Sequence, residues 1–323
     1  MERTRTYLIT GAAGFIGARF VESCNQKGIE VVSVDRESYF TARTEHKGVS
    51  FGKVVDRDQL WSWLNANSPR LSAIVHLGAC TDTTELDEAY LTRMNLEYSK
   101  QIWAYASENK IPLVYASSAA TYGDGALGYD DDESLIPKLK PLNPYGESKR
   151  LFDLWALEQE KTGTHPPKWC GFKFFNVYGF GERHKEAMAS VVLHAAEQIQ
   201  KSGQVRLFKS HRAEIADGEQ KRDFIFVNDV VDVLHFALEK PLKRGIYNLG
   251  SGQARSFLDL ARAVFSSLGK SEKIIFIDTP VEMRSRYQYF TQAKMNRLRS
   301  QGYAKPFTPL EEGVKRYVER LKP

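Results

Sequence analysis

"YLITGAAGFIGARF", residues 7–20, decides the fold. A short apolar run ending at Thr10 gives way to Gly11, Gly14 and Gly17, and then to a segment with helical periodicity. Read as strand, turn and helix, each glycine has a purpose. Gly11 permits the tight turn, Gly14 lets backbone approach a pyrophosphate, and Gly17 allows helix and strand to pack closely, with the helix N-terminus facing the phosphates. Three spaced glycines alone are a weak signal; their place directly after the first strand strengthens it. The next apolar run, "EVVSVD", ends in Asp35, 18 residues beyond Gly17 and close to the spacing of a ribose-binding carboxylate. Arg36 follows it. A carboxylate on the 2′-hydroxyl favours NAD, whereas an adjacent guanidinium pairs with the 2′-phosphate of NADP. The expectation is a bound dinucleotide, with NADP favoured through Arg36 and NAD the alternative.

Outward from this stretch, apolar runs alternate with amphipathic segments. "TYLIT", "EVVSVD", "SAIVHLGA" and "IPLVYASS" read as buried strands, with helical patterns at 58–66 and 89–110 between them. That alternation predicts an α/β fold, a doubly wound parallel sheet of Rossmann type with a smaller α/β substrate-binding lobe. "KWCGFKFFNVYG" reads as one further strand, followed by helices at 187–202, from near Asn228, at 256–268 and from Pro309, and by strands "GIYNLGSG" and "KIIFID". A polar stretch, "KSHRAEIADGEQKRD", lies between. No Pro/Gly-rich linker marks a boundary, so the two lobes are expected to exchange segments. The division expected is 1–174 with 223–250 and 288–299 for the dinucleotide, and 175–222 with 251–287 and 300–323 for the substrate.

The totals narrow the function. The 323 residues are 42% hydrophobic and 26% charged, an ordinary globular composition that argues against disorder. Lys+Arg exceed Asp+Glu by 45 − 40 = 5, scattered among acids rather than gathered in a stripe, which argues against nucleic acid and suits an anionic small substrate. Cys24, Cys80 and Cys170 are odd in number and lack ligand spacing. They imply neither a disulfide nor a metal site, but a reducing compartment. The first apolar run is too short for a membrane span or a signal segment, so a cytoplasmic protein with no membrane partner is expected.

The chemistry is concentrated in "YASSAATYG" (115–123) and "NPYGESK" (143–149). Tyr145 and Lys149 are four apart and share a helical face. A tyrosine near pKa 10 is a poor base at neutral pH, but a close ammonium stabilises its phenolate. Ser118, 27 residues earlier at a strand end, can hydrogen-bond the same substrate hydroxyl. With the glycine turn upstream, the three point to hydride transfer to or from an alcohol.

With "GACTDTTE", "FFNVYG" before "HKEAMAS", "KRDFIFVNDV" and "RYQYFTQA" added, the chain resembles the extended short-chain dehydrogenase/reductases, the nucleotide-sugar epimerases and dehydratases. The likeness runs from "LITGAAGFIG" to "KPFTPLEEGVKRY". "HKEAMAS" with "RYQYFTQA" narrows it to enzymes inverting C6 of the heptose in an ADP-heptose. The resemblance implies an isomerase in which a hydride leaves, a transient ketone forms, and the hydride returns to the other face. It implies cofactor contacts from Gly11, Gly14, Phe15, Ile16, Gly17, Asp35, Leu77, Gly78, Ala79 and Val177, with Lys149 on the nicotinamide ribose. It places Thr81, Ser118, Asn176, His194, Phe208, Arg222 and Tyr287 at the ADP-sugar, with Arg222 the diphosphate partner, and it implies a homo-oligomer. Inversion requires the ketone to turn over in its pocket, so a second proton carrier on the far wall is expected. Lys185, after the "FFNVYG" strand end, is the candidate, shared with the cofactor side.

The chain departs from the family pattern at Leu77, where an acid is usual, and at Ala187, where a small hydroxyl residue is expected. "RAEIADGEQ" also makes a longer connection. Ala120-Thr121 stands where a dehydratase carries Asp-Glu, which argues against dehydration. The alternatives are another nucleotide-sugar epimerase of this fold and a non-catalytic dinucleotide-sensing protein; intact Ser118, Tyr145 and Lys149 argue against the latter.

Overall fold

Strand β1 (Thr6–Thr10) buries both of its faces, as a strand covered by helices on either side must. The computed structural model describes residues 5–284 and 287–321. In it β1 pairs in parallel with β2 (Glu30–Asp35) and with β4 (Ala73–His76). β3 (Lys53–Asp56), β5 (Leu113–Ser118), β6 (Trp169–Phe174) and β10 (Gly245–Leu249) complete a seven-stranded sheet of order β3-β2-β1-β4-β5-β6-β10. Every pairing in it is parallel. This is the doubly wound α/β sheet expected from the sequence. Chain order reverses between β1 and β4, and such a reversal opens a crevice at the carboxyl ends of the strands.

Helices Phe15–Gln26 and Val227–Glu239 cover one face, where Phe20 stacks on His235 at 4.6 Å. Helices Tyr98–Glu108 and Pro144–Thr162 cover the other, with Trp103 edge-on to Phe152 at 6.3 Å. The pattern at 89–110 is not one regular helix: Thr92–Glu97 is wound as a π turn between Glu88–Leu91 and Tyr98–Glu108.

The smaller lobe has its own core, including Val192, Leu193, Val264, Phe265, Val314 and Tyr317. These come from helices Val191–Ser202, Phe257–Leu268 and Leu310–Leu321. Its sheets are β11 (Ala254–Ser256), β9 (Lys221–Phe226) and β7 (Asn176–Tyr178) in that order, and the pair β12 (Ile274–Ile277) with β8 (Val205–Phe208). Two readings need correction. "KWCGFKFFNVYG" is two strands, β6 and β7, in different sheets; the break falls at Phe175, whose N–H turns to the Leu249 carbonyl. A continuous apolar run carries no mark of such a switch. The polar stretch ends in a strand, β9, whose Phe224 and Phe226 enter the second core. Residues 1–4, 285–286 and 322–323 of the expected lobes lie outside the described residues. Among the described residues, no helix is long and apolar enough to cross a membrane.

Candidate active site

Gly11 sits at φ +67°, and a Cβ there would stand 2.7 Å from the Gly78 nitrogen. One at Gly17 would stand 2.0 Å from the Gly11 carbonyl oxygen. Turn and helix are thus pressed together, and overpacking of this kind costs about 1–3 kcal/mol. Gly14 is the N-cap of helix Phe15–Gln26 and offers no capping side chain, so the first-turn N–H groups face the crevice unscreened.

The crevice is a cleft of about 930 Å³. From the first sheet it is lined by Gly11, Gly14, Phe15, Ile16, Gly17, Asp35, Arg36, Leu77, Gly78, Ala79 and Thr81. Ser118, Tyr145 and Lys149 form its floor, and Asn176, Val177, Lys185, Arg222 and Tyr287 line the side toward the second lobe. His194 and Phe208 are not in this lining. His194 lies a turn further along its helix than Ser190 and Val191, which do line it, and Phe208 ends β8 in its ladder with β12.

At the far end, Asp35 accepts hydrogen bonds from the Ala13 N–H at 3.1 Å and the Arg36 N–H at 2.9 Å. Burial still raises its pKa above the ordinary aspartate value, with those N–H groups and Arg43 opposing. Sequence reasoning missed Arg43 and Arg57, which line the cleft beside Arg36. Arg43 lies over the Tyr39 ring at 4.3 Å and donates to the Ala13 carbonyl. Scattered single arginines carry no sequence signal; only the fold gathers them around Asp35. One buried polar atom here, Tyr98 Oη, has no hydrogen-bond partner among the described residues, and Arg57 Nε has only an ion pair with Asp58 at 3.5 Å. A glycine cradle, an uncapped helix N-terminus and an unsatisfied phenol fit a dinucleotide.

Tyr145 owes its place to the start of its helix. Asn143 caps it, its Oδ1 accepting from the Gly146 N–H at 2.7 Å, and Pro144 occupies the first turn. Burial raises the pKa of the Tyr145 phenol, while a hydrogen bond with Ser118 opposes the rise. The expected lowering by Lys149 is not what the structure shows. The Lys149 ammonium donates to the Ala116 carbonyl at 3.0 Å, and burial holds its own pKa down to about 8, with Asp153 and Cys80 opposing. A further missed residue, Asn95, lies in the π turn. Its side chain accepts from the Cys80 N–H at 2.8 Å and donates at 3.0 Å to the Cys80 carbonyl and the Ser148 hydroxyl, tying the 77–81 wall to the Tyr145 helix. A short π insertion leaves no periodicity to read, though such turns favour functional sites.

Lys185 is half-buried, its ammonium 5.8 Å from the centroid of the Phe15 ring. Burial lowers its pKa, and Glu182 opposes. The loop is closed by Glu182, which accepts from the Ser190 N–H at 2.7 Å and hydroxyl at 2.5 Å. Glu186 beside it has φ 48° and ψ −120°, a strained backbone for a residue with a side chain. Arg222 is buried and donates only to the Lys221 carbonyl at 3.0 Å among the described contacts, between the Tyr287 ring at 5.4 Å and the Phe257 ring at 5.7 Å. A buried guanidinium with no carboxylate partner among the described residues suits an anionic ligand. Two of the three departures fall elsewhere. Ala187 is exposed and outside the lining, and the 212–220 connection folds back, with Asp217 accepting the Ser210 N–H at 2.7 Å. Leu77 does line the cleft.

Residues 7–250 match the NAD dependent epimerase/dehydratase family. The chain belongs to that family. Within it, the chain is 45% identical to an ADP-L-glycero-D-manno-heptose-6-epimerase of Fusobacterium nucleatum, with 97% of this chain and 96% of the relative covered. It is 43% identical to the enzyme of the same name from Nitratidesulfovibrio vulgaris, over 97% of each chain. The Helicobacter pylori ADP-L-glycero-D-manno-heptose-6-epimerase crystal structure superposes with a TM-score of 0.81 at 27% identity, covering 99% of this chain and 98% of that one. A family defined by nicotinamide chemistry agrees with the cradle and floor described above.

Proposed function

We propose that the chain is an epimerase converting ADP-D-glycero-β-D-manno-heptose to ADP-L-glycero-β-D-manno-heptose by inverting C6, with NADP bound. One observation carries this reading. A single cleft joins Tyr145, Ser118 and Lys149 to Lys185 and to the guanidinium of Arg222, which has no carboxylate partner among the described residues. Relatives named for this activity cover nearly the whole chain.

When bound, the dinucleotide supplies a reversible acceptor for the hydride on the sugar carbon. The residues do the rest. Residues 1–174, 223–250 and 288–299 hold the dinucleotide, and 175–222, 251–287 and 300–323 hold the nucleotide-sugar. Gly11, Gly14, Phe15, Ile16 and Gly17 cradle the pyrophosphate, and Leu77, Gly78, Ala79 and Val177 wall the cofactor channel. Lys149 spends one of its three donors on Ala116, leaving the others for the nicotinamide ribose. Ser118 Oγ orients the sugar hydroxyl and Tyr145 Oη exchanges its proton. Lys185 Nζ serves the oxygen of the turned-over ketone. Arg222 pairs with the diphosphate, Tyr287 packs on the nucleoside, and Thr81 and Asn176 face the sugar. The test is incubation with ADP-D-glycero-β-D-manno-heptose followed by NMR of the sugar. The C6 epimer should form without added cofactor; no conversion, alongside activity on a UDP-sugar, would overturn the reading.

NADP is favoured because both Asp35 oxygens already accept backbone N–H groups, while Arg36, Arg43 and Arg57 surround them. Arg36→Ala and Arg43→Ala should each weaken NADP more than NAD, by roughly tenfold for one charge-assisted contact of about 1.5 kcal/mol. Equal weakening of both dinucleotides in a calorimetric titration would remove these arginines from the 2′-phosphate.

A further inference from the structure

Beneath the floor of the cleft lies an ion pair that no step above uses. Lys173 on β6 and Asp153 on helix Pro144–Thr162 are fully buried and meet at 2.6 Å. Desolvating two charges is expensive, and such a pair is weak evidence for stability. Its connections suggest another purpose. Tyr145, Lys149 and Asp153 follow at four-residue spacing, hence on one face of the helix. Asp153 accepts from the Tyr115 hydroxyl at 3.1 Å and the Ser117 hydroxyl at 2.7 Å, both on β5. Lys173 also donates to Thr121 Oγ1 at 2.7 Å, and that hydroxyl donates to the Ser118 carbonyl at 2.8 Å. Ser118 is therefore gripped on both sides, through Ser117 by the carboxylate and through Thr121 by the ammonium.

We propose that Asp153 and Lys173 are positioning residues, which lock Ser118 against the Tyr145 helix and set the charge balance at Lys149. This rests on the reading of Ser118, Tyr145 and Lys149 above. Asp153 is the carboxylate whose charge opposes the burial of Lys149 most strongly, and the Cys80 thiol, from the loop after β4, does so less. The other groups facing Lys149 are Tyr145 on its own helix and His76 on β4, an imidazole whose pKa burial holds down to about 3 and which therefore stays neutral.

The two partners should act in opposite directions. Asp153→Asn removes the countercharge, so Lys149 should lose its proton at lower pH than in the unaltered protein. Lys173→Met frees the Asp153 charge, so Lys149 should lose it at higher pH. The measurement is an NMR titration of protein carrying ¹³C at the lysine ε carbons, with the Lys149 signal assigned by Lys149→Met. It needs no substrate, so a failed epimerase reading and a failed positioning reading remain distinguishable. In parallel, each variant should lower kcat by about 10²-fold, the cost of an ångström of misplacement, with KM little changed. If a single variant does not fold, the neutral pair Asp153→Asn with Lys173→Met replaces it and should show a smaller downward shift than Asp153→Asn, since losing the Lys173 charge opposes losing the Asp153 charge. An unmoved Lys149 midpoint, whatever the loss of rate, would reduce the pair to a structural role and overturn the proposal. Failure of the neutral pair to fold would do the same.

Discussion

Tyr145→Phe should lower kcat by roughly 10²–10⁴-fold, the worth of a positioned acid/base group, while the protein still purifies with its dinucleotide. The ring is buried and Phe preserves its packing, so only the hydroxyl and its hydrogen bond with Ser118 are lost. Because burial raises the phenol's pKa, the resting group is protonated and competent as an acid. Its service as a base depends on positive charge brought close, from Lys149 and from the oxidised nicotinamide. Removing the oxygen ends both roles at once. Steady-state rates on ADP-heptose, with absorbance of the released dinucleotide, check the two halves. A variant that loses its dinucleotide would show that Tyr145 holds the cofactor instead.

Lys185→Met should slow epimerisation by a similar 10²–10⁴-fold, acting on kcat and sparing KM. A hydride delivered from one side can invert a carbon only if the ketone turns over, after which its oxygen has left Tyr145. Lys185 follows β7 and lines the same cleft, and its lowered pKa brings it nearer to a working pH where it can both give and take a proton. The strained backbone at Glu186 is the kind of conformation a fold keeps where a side chain must be aimed. Methionine matches the apolar stem, so contact with Phe15 should survive. That contact, at 5.8 Å, also brings the ammonium to the cradle, which makes the alternative concrete. A raised KM at unchanged kcat, or a lost dinucleotide, would return Lys185 to the rank of a phosphate ligand.

Most of the first sheet was legible because its signals are local. Gly11 needs a positive φ and Gly17 needs the space of a hydrogen atom, and both demands are met within one turn of chain. β1, β2, β4 and β5 are apolar runs bounded by breakers, so their existence followed from composition and their parallel arrangement from the alternation with helical segments, while their order came from the structure. β9 escaped because its polar opening, Lys221–Asp223, hides two buried residues, Arg222 and Asp223. Asp223 tolerates burial only because Ser251, Gly252 and Ala293 donate N–H groups to it, and they come from far along the chain.

By itself the sequence determined the sheet class, the dinucleotide turn and the Ser118, Tyr145 and Lys149 triplet, since each is written in residues a few positions apart or at strand ends of known direction. Only the tertiary structure decided that "KWCGFKFFNVYG" changes sheets at Phe175 and that Arg43 and Arg57 gather at Asp35. It alone decided that Lys149 donates to Ala116 and that a buried Asp153–Lys173 pair stands beneath the floor. The reason is the range of the forces. Backbone sterics and hydrophobic period act within a turn or two of chain, whereas a side chain's charge state and aim depend on what burial removes from water and on which distant partner fills the space.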